Sequence, residues 1–411
     1  MIFASATTTR VVFGPIEPRL YAAEIVRTTR LDKVMLWLLS AFAFALPTDL
    51  RLSGDKSIAM RLGYACLLLG IAGLVRRKTL ALPRSGFWWL LGFVSWSACS
   101  LAWARYPGAA QHKVLLYGAV FAVTAIIPQY AWDAHMRARL IDAYLAGCGV
   151  GIIGTIANFM LGNPYPELGY MGVDSRYSFS ADPNYLALAL VIGIPLSLYR
   201  SGQYSAVWQR ALARLYVPAV LATVFLTGSR TSLMAFLVTI VTYGLLIGRS
   251  APRWFLAGAG LCVAIGALMP VQMSERFAGI PDELRYGTLS DRRQLWDRGA
   301  AIVAEHPFQG IGAGASTGAW DIAAHNTPLE LMMEGGLVSV SLFYGALLLG
   351  IRAALKRDRR EARALIAAWS AWFVGTLLLS WENNIITWFM FALLFSASSS
   401  GARTEVAHHR A

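Results

Sequence analysis

His325 is well placed to transfer a proton, because it directly precedes a predicted helix start. The segment Thr327-Pro328-Leu329-Glu330 is typical of a capping box, with Thr327 as N-cap, Pro328 at the first helical position and Glu330 at the third. An imidazole beside unpaired backbone N–H groups suits chemistry on an anion, since it can accept a proton near neutral pH. The alternative is a loop histidine that only forms local hydrogen bonds.

Arg230 lies in a very short turn between two apolar runs, in the sequence Leu226-Thr227-Gly228-Ser229-Arg230. An arginine in such a turn has little freedom and is costly to leave unpaired near lipid. It would therefore either bind an anion or extend its charged end to the membrane interface.

Arg292 and Arg293 occupy different faces of a predicted loop helix, which begins after Ser290 and ends before Pro307. At about 100° per residue, Arg292 lies at the centre of an apolar arc. The other members of the arc are Leu295, Trp296, Gly299, Ala300, Ile302 and Val303. Arg293 lies outside the arc and can pair with Asp297. An arginine centred on an apolar face needs an anionic partner, which is either a substrate or an acid of the protein.

The motifs of metal-dependent transfer are missing: there is no Asp-x-Asp, no His-Glu-x-x-His and no phosphate loop. Gly310-x-Gly312-x-Gly314 lacks the full dinucleotide spacing, so it indicates either a flexible opening to an outer pocket or ordinary loop glycines. Two arginines and a histidine suit a phosphate-linked substrate, because arginine binds phosphate through paired hydrogen bonds and stays charged. No cofactor is expected.

Membrane helices must position these residues. Of the 411 residues, 56% are hydrophobic and 14% charged, and the mean hydropathy is +0.51, which excludes a soluble globular protein. The predicted fold is an all-α polytopic membrane protein of about 12 transmembrane helices with one long outer loop that contains short helices. The apolar runs lie near 33–50, 58–75, 86–103, 111–130, 139–161, 184–199, 211–227, 231–248, 253–270, 327–351, 362–380 and 383–398.

The positive charges predict the orientation. Most of the 36 Lys and Arg residues fall on the side of the N-terminus, which indicates that this side is cytoplasmic. The net charge of +13 is therefore mostly a topology signal, with some attraction to anionic lipid, and does not indicate nucleic-acid binding. The predicted division is a cytoplasmic segment at 1–32, nine helices at 33–270, an outer loop subdomain at 271–326, three helices at 327–398 and a cytoplasmic tail at 399–411.

Five short motifs occur in order along residues 179–336. They are Phe179-Ser-Ala-Asp182-Pro183-Asn184-Tyr-Leu-Ala187, Gly228-Ser-Arg230-Thr231, Arg292-x-x-x-Trp296, Gly310-x-Gly312-x-Gly314, and His325-Asn326-x-x-Leu329 with Glu334-x-Gly336. Together they resemble the O-antigen ligase and O-antigen polymerase family of bacterial inner-membrane glycosyltransferases. The chain departs from that family at Gly335-Gly336, where a single glycine followed by an apolar residue is more usual.

The resemblance implies transfer of a glycan from undecaprenyl pyrophosphate on the periplasmic face, and direct displacement would invert the anomeric carbon. In a ligase the acceptor is the lipid A–core, so the expected partners are the lipid-linked glycan, this acceptor and membrane lipid. Arg230 and Arg292 would bind the pyrophosphate, and His325 would act as general base or orient the donor. Asp182, Asn184 and Asn326 would form sugar or structural hydrogen bonds.

A ligase is the favoured interpretation, although polymerases and related oligosaccharyltransferases share these motifs. A solute transporter or lipid flippase is the alternative from another class. The predicted spans carry almost no ionisable residues at mid-membrane depth, which counts against ion-coupled transport.

Overall fold

The structure is a computed structural model in which most of the chain is helical. It describes residues 10–13, 30–50, 57–77, 79–82, 86–131, 134–165, 176–248, 251–268, 277, 285 and 292–396. The predicted tail at 399–411, most of the predicted segment at 1–32 and Ser290 lie outside the described residues.

The helices follow one another with short connections over most of the chain. They are α1 (Arg30–Ala45), α2 (Ile58–Arg77), α3 (Phe87–Cys99, extended by a 3-10 turn at Ser100–Ala102), α4 (Pro107–Tyr130), α5 (Ala134–Met160), α6 (Pro183–Ser201), α7 (Val207–Thr227), α8 (Arg230–Leu246), α9 (Ala251–Ala267), α10 (Arg292–Glu305), α11 (Ala315–Trp320), α12 (Thr327–Ala354), α13 (Arg359–Thr376) and α14 (Ile385–Phe395).

Each predicted span coincides with one of these helices, and α10 and α11 are short helices inside the predicted outer loop. By length and composition, α2, α4, α5, α6, α7 and α12 are the 6 helices able to cross a membrane in the part of the chain that the structure describes. The shorter apolar helices are α3, α8, α9 and α14. The number of crossings and the division of the chain into five segments stay predictions.

A small parallel sheet departs from the all-α prediction. Strand β1 (Arg10–Phe13) pairs with strand β2 (Thr79–Leu82), with Arg10 opposite Thr79. Each strand has only 4 residues, too few for alternation to stand out in the sequence. The pairing places residues 10–13 beside the segment after α2.

Polar side chains begin the helices that carry the candidate residues. Asp182 caps α6, and its carboxylate accepts hydrogen bonds from the backbone N–H groups of Asn184 and Tyr185. Ser229 caps α8 and Asn326 caps α12 in the same way. Such caps pair N–H groups that a helix start leaves open, so the helix ends around the site have defined positions.

The core forms around α6 and α14, which are buried along almost their whole length. Helix α13 packs against α6 and α8, and α14 packs against α4. Four fully buried tryptophans fill this region: Trp369, Trp372, Trp381 and Trp388. Large aromatic side chains give such a core much contact area and specific geometry, so it forms a rigid support for the helix ends.

Helix α12 is broken at Gly336, where φ is +62° and ψ is −159°. This backbone conformation is essentially restricted to glycine. A Cβ at this position would also lie 2.2 Å from the carbonyl of Phe308. The break interrupts the hydrogen-bond ladder of the helix at its second and third turns.

The loop at 307–312 fills this break by pairing with both sides of it. The backbone N–H of Leu337 donates to the carbonyl of Pro307 at 2.8 Å. On the other side, the N–H of Ile311 donates to the carbonyl of Met333 at 2.8 Å. The outer loop and α12 therefore share one backbone hydrogen-bond network.

The three glycines of the Gly310-x-Gly312-x-Gly314 motif allow close packing of this loop. Gly310, Gly312 and Gly314 have φ values of +64°, +100° and +71°. A Cβ at Gly310 would lie 2.4 Å from the carbonyl oxygen of Met333. Of the two interpretations offered by the sequence, the structure therefore favours loop glycines that permit close backbone contact.

Candidate active site

Helix α10 packs on α12 through the face predicted from the helical wheel. Gly299 is buried, and a Cβ there would lie 2.9 Å from Cδ2 of Leu329. Arg293 is exposed whereas Arg292 is half-buried, in agreement with their predicted faces. Ala300, which was predicted to belong to the apolar arc, is exposed. The apolar arc is therefore narrower than predicted at that edge.

The charges of Asp182, Arg176 and Tyr185 all act on Arg292. Burial is the main cause that lowers the pKa of Arg292, and the positive charge of Arg176 lowers it further, whereas Asp182 and Tyr185 oppose this shift. Arginine remains protonated in proteins, so this is a cation in a partly desolvated place. Such a cation favours the approach of an anion.

Arg176 is a functional candidate that sequence reasoning missed. It is 8% exposed. Its Nε donates to the carbonyl of Thr227 at 2.7 Å, and its Nη2 donates to Oδ1 of Asn184 at 2.9 Å. Asn184 therefore has a structural partner. The available signal was the position of Arg176, an isolated arginine directly before the motif that begins at Phe179.

Arg230 is the first residue of α8 and is half-buried. The preceding turn is fixed by Gly228, which has φ +61°, and by the cap at Ser229. Arg176 binds the carbonyl of Thr227 at the start of this same turn. Arg230 thus lies three residues after the carbonyl that Arg176 binds.

His325 has a left-handed backbone conformation, with φ +52°. For a residue other than glycine this conformation costs about 1–3 kcal/mol and persists only where the surroundings impose it. The side chain is half-buried. Its Nδ1 atom is buried and has no hydrogen-bond partner among the described residues. A strained backbone and an open ring nitrogen together distinguish His325 from an ordinary loop histidine.

The surroundings of His325 favour its neutral form. Burial is the main cause that lowers the pKa of His325, and the positive charge of Arg292 lowers it further. The charges of Asp182 and Glu330 oppose the shift. Since an ordinary imidazole has a pKa of about 6.5, His325 is neutral at pH 7. A neutral imidazole can accept a proton.

The capping box predicted at Thr327 is wrong. Asn326 is the N-cap, because its Oδ1 accepts from the backbone N–H of Leu329 at 2.9 Å. The buried hydroxyl of Thr327 instead donates to the carbonyl of Leu379 at 2.9 Å and accepts from the N–H of Trp381 at 2.8 Å. Asparagine and threonine are both good caps, and proline is tolerated throughout the first turn. The sequence therefore allows either start.

Glu330 does not reach back to the cap, as a capping box would require. It is 1% exposed. Its Oε1 accepts from the backbone N–H of Ala324 at 2.8 Å and from Oγ of Ser380 at 2.9 Å, and its Oε2 accepts from Oγ of Ser316 at 2.7 Å. Glu330 thus joins α12 to the residue before His325.

Lys113 is the centre of a buried charge cluster beside Glu330. Its Nζ donates to Glu334 and, at 2.9 Å, to Glu382, and it lies 3.6 Å from Glu330. The hydroxyl of Tyr117 donates to Glu334 at 3.2 Å. Examination of mid-span positions could not reveal this cluster, because its charges lie in the early turns of α4 and α12 or just before α14.

The carboxylates of this cluster are directed at protein donors. Glu334 accepts from the backbone N–H of Gly314 at 2.9 Å as well as from Lys113. Within the described ranges, no group of three or more His, Cys, Asp or Glu side chains is arranged to hold a metal ion.

A comparison with protein families finds a match to one segment of this architecture. Residues 215–344 match the family model of the O-antigen ligase domain. A search of curated proteins gives no significant match. The matched segment runs from α7 to α12 and contains Arg230, Arg292 and His325, while Asp182 and Asn184 precede it. This match confirms the resemblance of the chain to the O-antigen ligase family.

Proposed function

We propose that the protein is an O-antigen ligase, which transfers an undecaprenyl-pyrophosphate-linked polysaccharide to the lipid A–core at the periplasmic face of the inner membrane. The observation that carries the proposal is the buried, open Nδ1 of His325, which lies under the influence of the charges of Arg292 and Asp182. The family match supports the general class, a glycosyltransferase acting on a lipid-linked glycan. The proposed topology has both termini in the cytoplasm.

The proposed step is a direct displacement at the anomeric carbon of the donor glycan. The acceptor hydroxyl oxygen forms the new glycosidic bond while the bond between the anomeric carbon and the pyrophosphate oxygen breaks. The electron pair leaves with undecaprenyl pyrophosphate, and the hydroxyl proton passes to His325. Because the acceptor attacks opposite the leaving group, the configuration inverts.

The arginines stabilise the leaving group, which gains negative charge as the bond breaks. Arg230 and Arg292 bind the pyrophosphate, since fixed donors aimed at developing charge lower the barrier. Arg176 already donates to Thr227 and Asn184, so it adds positive charge behind them. The positive charge in this proposal comes from the protein itself, and the proposed transfer is metal-independent.

The lipopolysaccharide of a strain that lacks the gene distinguishes the ligase from its relatives. A ligase defect leaves core without any O-chain while lipid-linked polymer accumulates. Core capped by a single repeat would identify a polymerase instead, and normal lipopolysaccharide with an under-glycosylated protein would identify an oligosaccharyltransferase.

The Lys113 cluster is an observation that favours a transporter, because buried charges within helices often line transport pathways. Its carboxylates, however, are paired with protein donors. Purified protein in sealed vesicles tests this function. Substrate-stimulated flux of protons or of lipid-linked glycan, without glycan transfer, would replace the ligase with a transporter.

A further inference from the structure

The backbone of Ala324 is held on both sides, although it belongs to an irregular segment. Its N–H donates to Oε1 of Glu330 at 2.8 Å, and its carbonyl accepts from Nε1 of Trp296 at 3.0 Å. The residue is fully buried. Because His325 follows directly, these two bonds fix the two peptide groups that flank Ala324, and the second of them leads into His325.

These two hydrogen bonds, here called the clamp, hold the chain directly before His325, whose backbone is strained. A residue with φ +52° relaxes unless its neighbours prevent it. On the other side, Asn326 is held by its cap on α12. His325 is therefore fixed between Ala324, whose N–H and carbonyl are both bonded, and Asn326, which caps α12.

The carboxylate of Glu330 is itself rigid, because it is bonded to parts of the chain that are far apart in sequence. Ser316 lies at the start of α11, Ser380 follows α13, and Lys113 approaches from α4. With these partners and an exposure of 1%, its oxygens are occupied by the protein. Glu330 therefore acts on the site through the backbone and its charge.

We infer that Glu330 is a positioning residue for His325, which it holds through the N–H of Ala324 while Trp296 holds the carbonyl. This inference rests on the proposed function in taking His325 as the proton acceptor. The charge of Glu330 has a second effect, because it raises the pKa of His325 against burial and Arg292, together with Asp182.

Three variants separate the clamp from the charge. Glu330→Gln keeps an acceptor oxygen for Ala324 and removes the charge. Glu330→Ala removes both the acceptor and the charge. Trp296→Phe removes only the hydrogen bond from the indole N–H to the carbonyl of Ala324. Glu361→Gln is the matched control, because Glu361 is also buried and paired, with Arg137 and Arg357, but away from the site.

The first measurement is hydrogen–deuterium exchange of the peptide that covers residues 321–329 in the purified full-length protein. Glu330→Ala and Trp296→Phe should accelerate exchange at the Ala324 amide, while Glu330→Gln and Glu361→Gln should not. The second is transfer kinetics with lipid-linked glycan and lipid A–core across a pH series. We expect the kcat of Glu330→Ala and Trp296→Phe to fall about 100-fold, as misplacement of a catalytic group does, with a smaller change in KM.

The pH profile identifies the charge effect. In Glu330→Gln the acid limb of kcat/KM should move to lower pH, since the carboxylate no longer raises the pKa of His325. Wild-type kcat in Trp296→Phe together with an unmoved acid limb in Glu330→Gln would overturn the inference, and so would unchanged exchange in both clamp variants. If the wild-type protein transferred no glycan, the proposed function would fail, while the exchange data would still decide whether Glu330 holds the His325 segment.

Discussion

At the scale of single residues, His325 combines an open ring nitrogen with a backbone conformation that the chain must enforce. His325→Ala should abolish transfer, with a loss of about 100-fold or more, because a general base contributes that much to a proton transfer. Membrane insertion should be intact, since the cap of α12 is Asn326. The measurement is glycan transfer at matched expression, and near-wild-type activity would remove His325 from the mechanism.

The pH dependence of kcat/KM should follow the protonation of the His325 imidazole. Because His325 must be neutral to accept a proton and its pKa is lowered, kcat/KM should be constant through neutral pH and fall only at acidic pH. Arg292→Gln removes a positive charge that lowers this pKa, so the acid limb of its residual activity should move to higher pH. A profile of kcat/KM against pH for both proteins checks the sign, and an acid limb at the same pH in both would contradict the assignment.

Arg292 and Arg293 should behave differently although they are neighbours. Arg292 is half-buried near Asp182, whereas Arg293 is exposed. Arg292→Ala should lose most activity, and Arg292→Lys should recover it poorly, because a point charge does not reproduce the planar guanidinium. Arg293→Ala should be nearly silent, since a pair with Asp297 on the helix surface contributes only about 0.2–0.5 kcal/mol. An inactive Arg293→Ala with an active Arg292→Ala would mean that this site assignment is wrong.

At the scale of elements, the start of α12 depends on two neighbouring residues: Asn326, which caps the helix, and Thr327, which is its first residue. Asn326→Ala removes the cap and should lower stability by about 1 kcal/mol. Thr327→Ala leaves the buried N–H of Trp381 without its partner, which should lower stability by about 1–3 kcal/mol. Unfolding in detergent should rank Thr327→Ala as the more damaging change to stability. The reverse order would restore Thr327 as the cap.

The helical elements could be predicted from the sequence, because apolar runs and the helical period are local signals. The same period separated Arg292 from Arg293. The partners of Glu330 could not be predicted, since Lys113 and Ser380 reach it from segments remote in the sequence. The cap was predicted one residue too late, at Thr327 instead of Asn326, for a local reason. Asparagine and threonine have similar preferences for the N-cap position, so the sequence does not choose between them.

At the scale of the whole molecule, the proposed site takes its positive charge from Arg230 and Arg292, which are the first residues of α8 and α10. The proposed transfer should therefore continue in EDTA. The assay uses purified protein with lipid-linked donor and lipid A–core acceptor, before and after chelation. Loss of activity that magnesium or manganese restores would contradict the proposed metal-independent mechanism.

The predicted topology also places every component of the site on one side. Asp182, Arg230, His325 and Lys113 all lie at helix ends that the charge pattern assigns to the outer face. This arrangement could be predicted from hydropathy and charge because both are properties of whole segments of the sequence. The mutual contacts of these residues depend on tertiary packing, which the pattern of single segments does not contain.

The break in α12 bears on the order in which the chain is made. Backbone groups opened at Gly336 are costly in hydrocarbon unless they find partners, and those partners lie at 307–312. A nascent chain emerges from its N-terminus, so the ribosome completes this loop before it reaches Gly336. The interrupted helix thus has its complement already translated when it must enter lipid. In a circularly permuted chain with α12 ahead of the loop, the same helix would have to insert with its interrupted ladder unpaired.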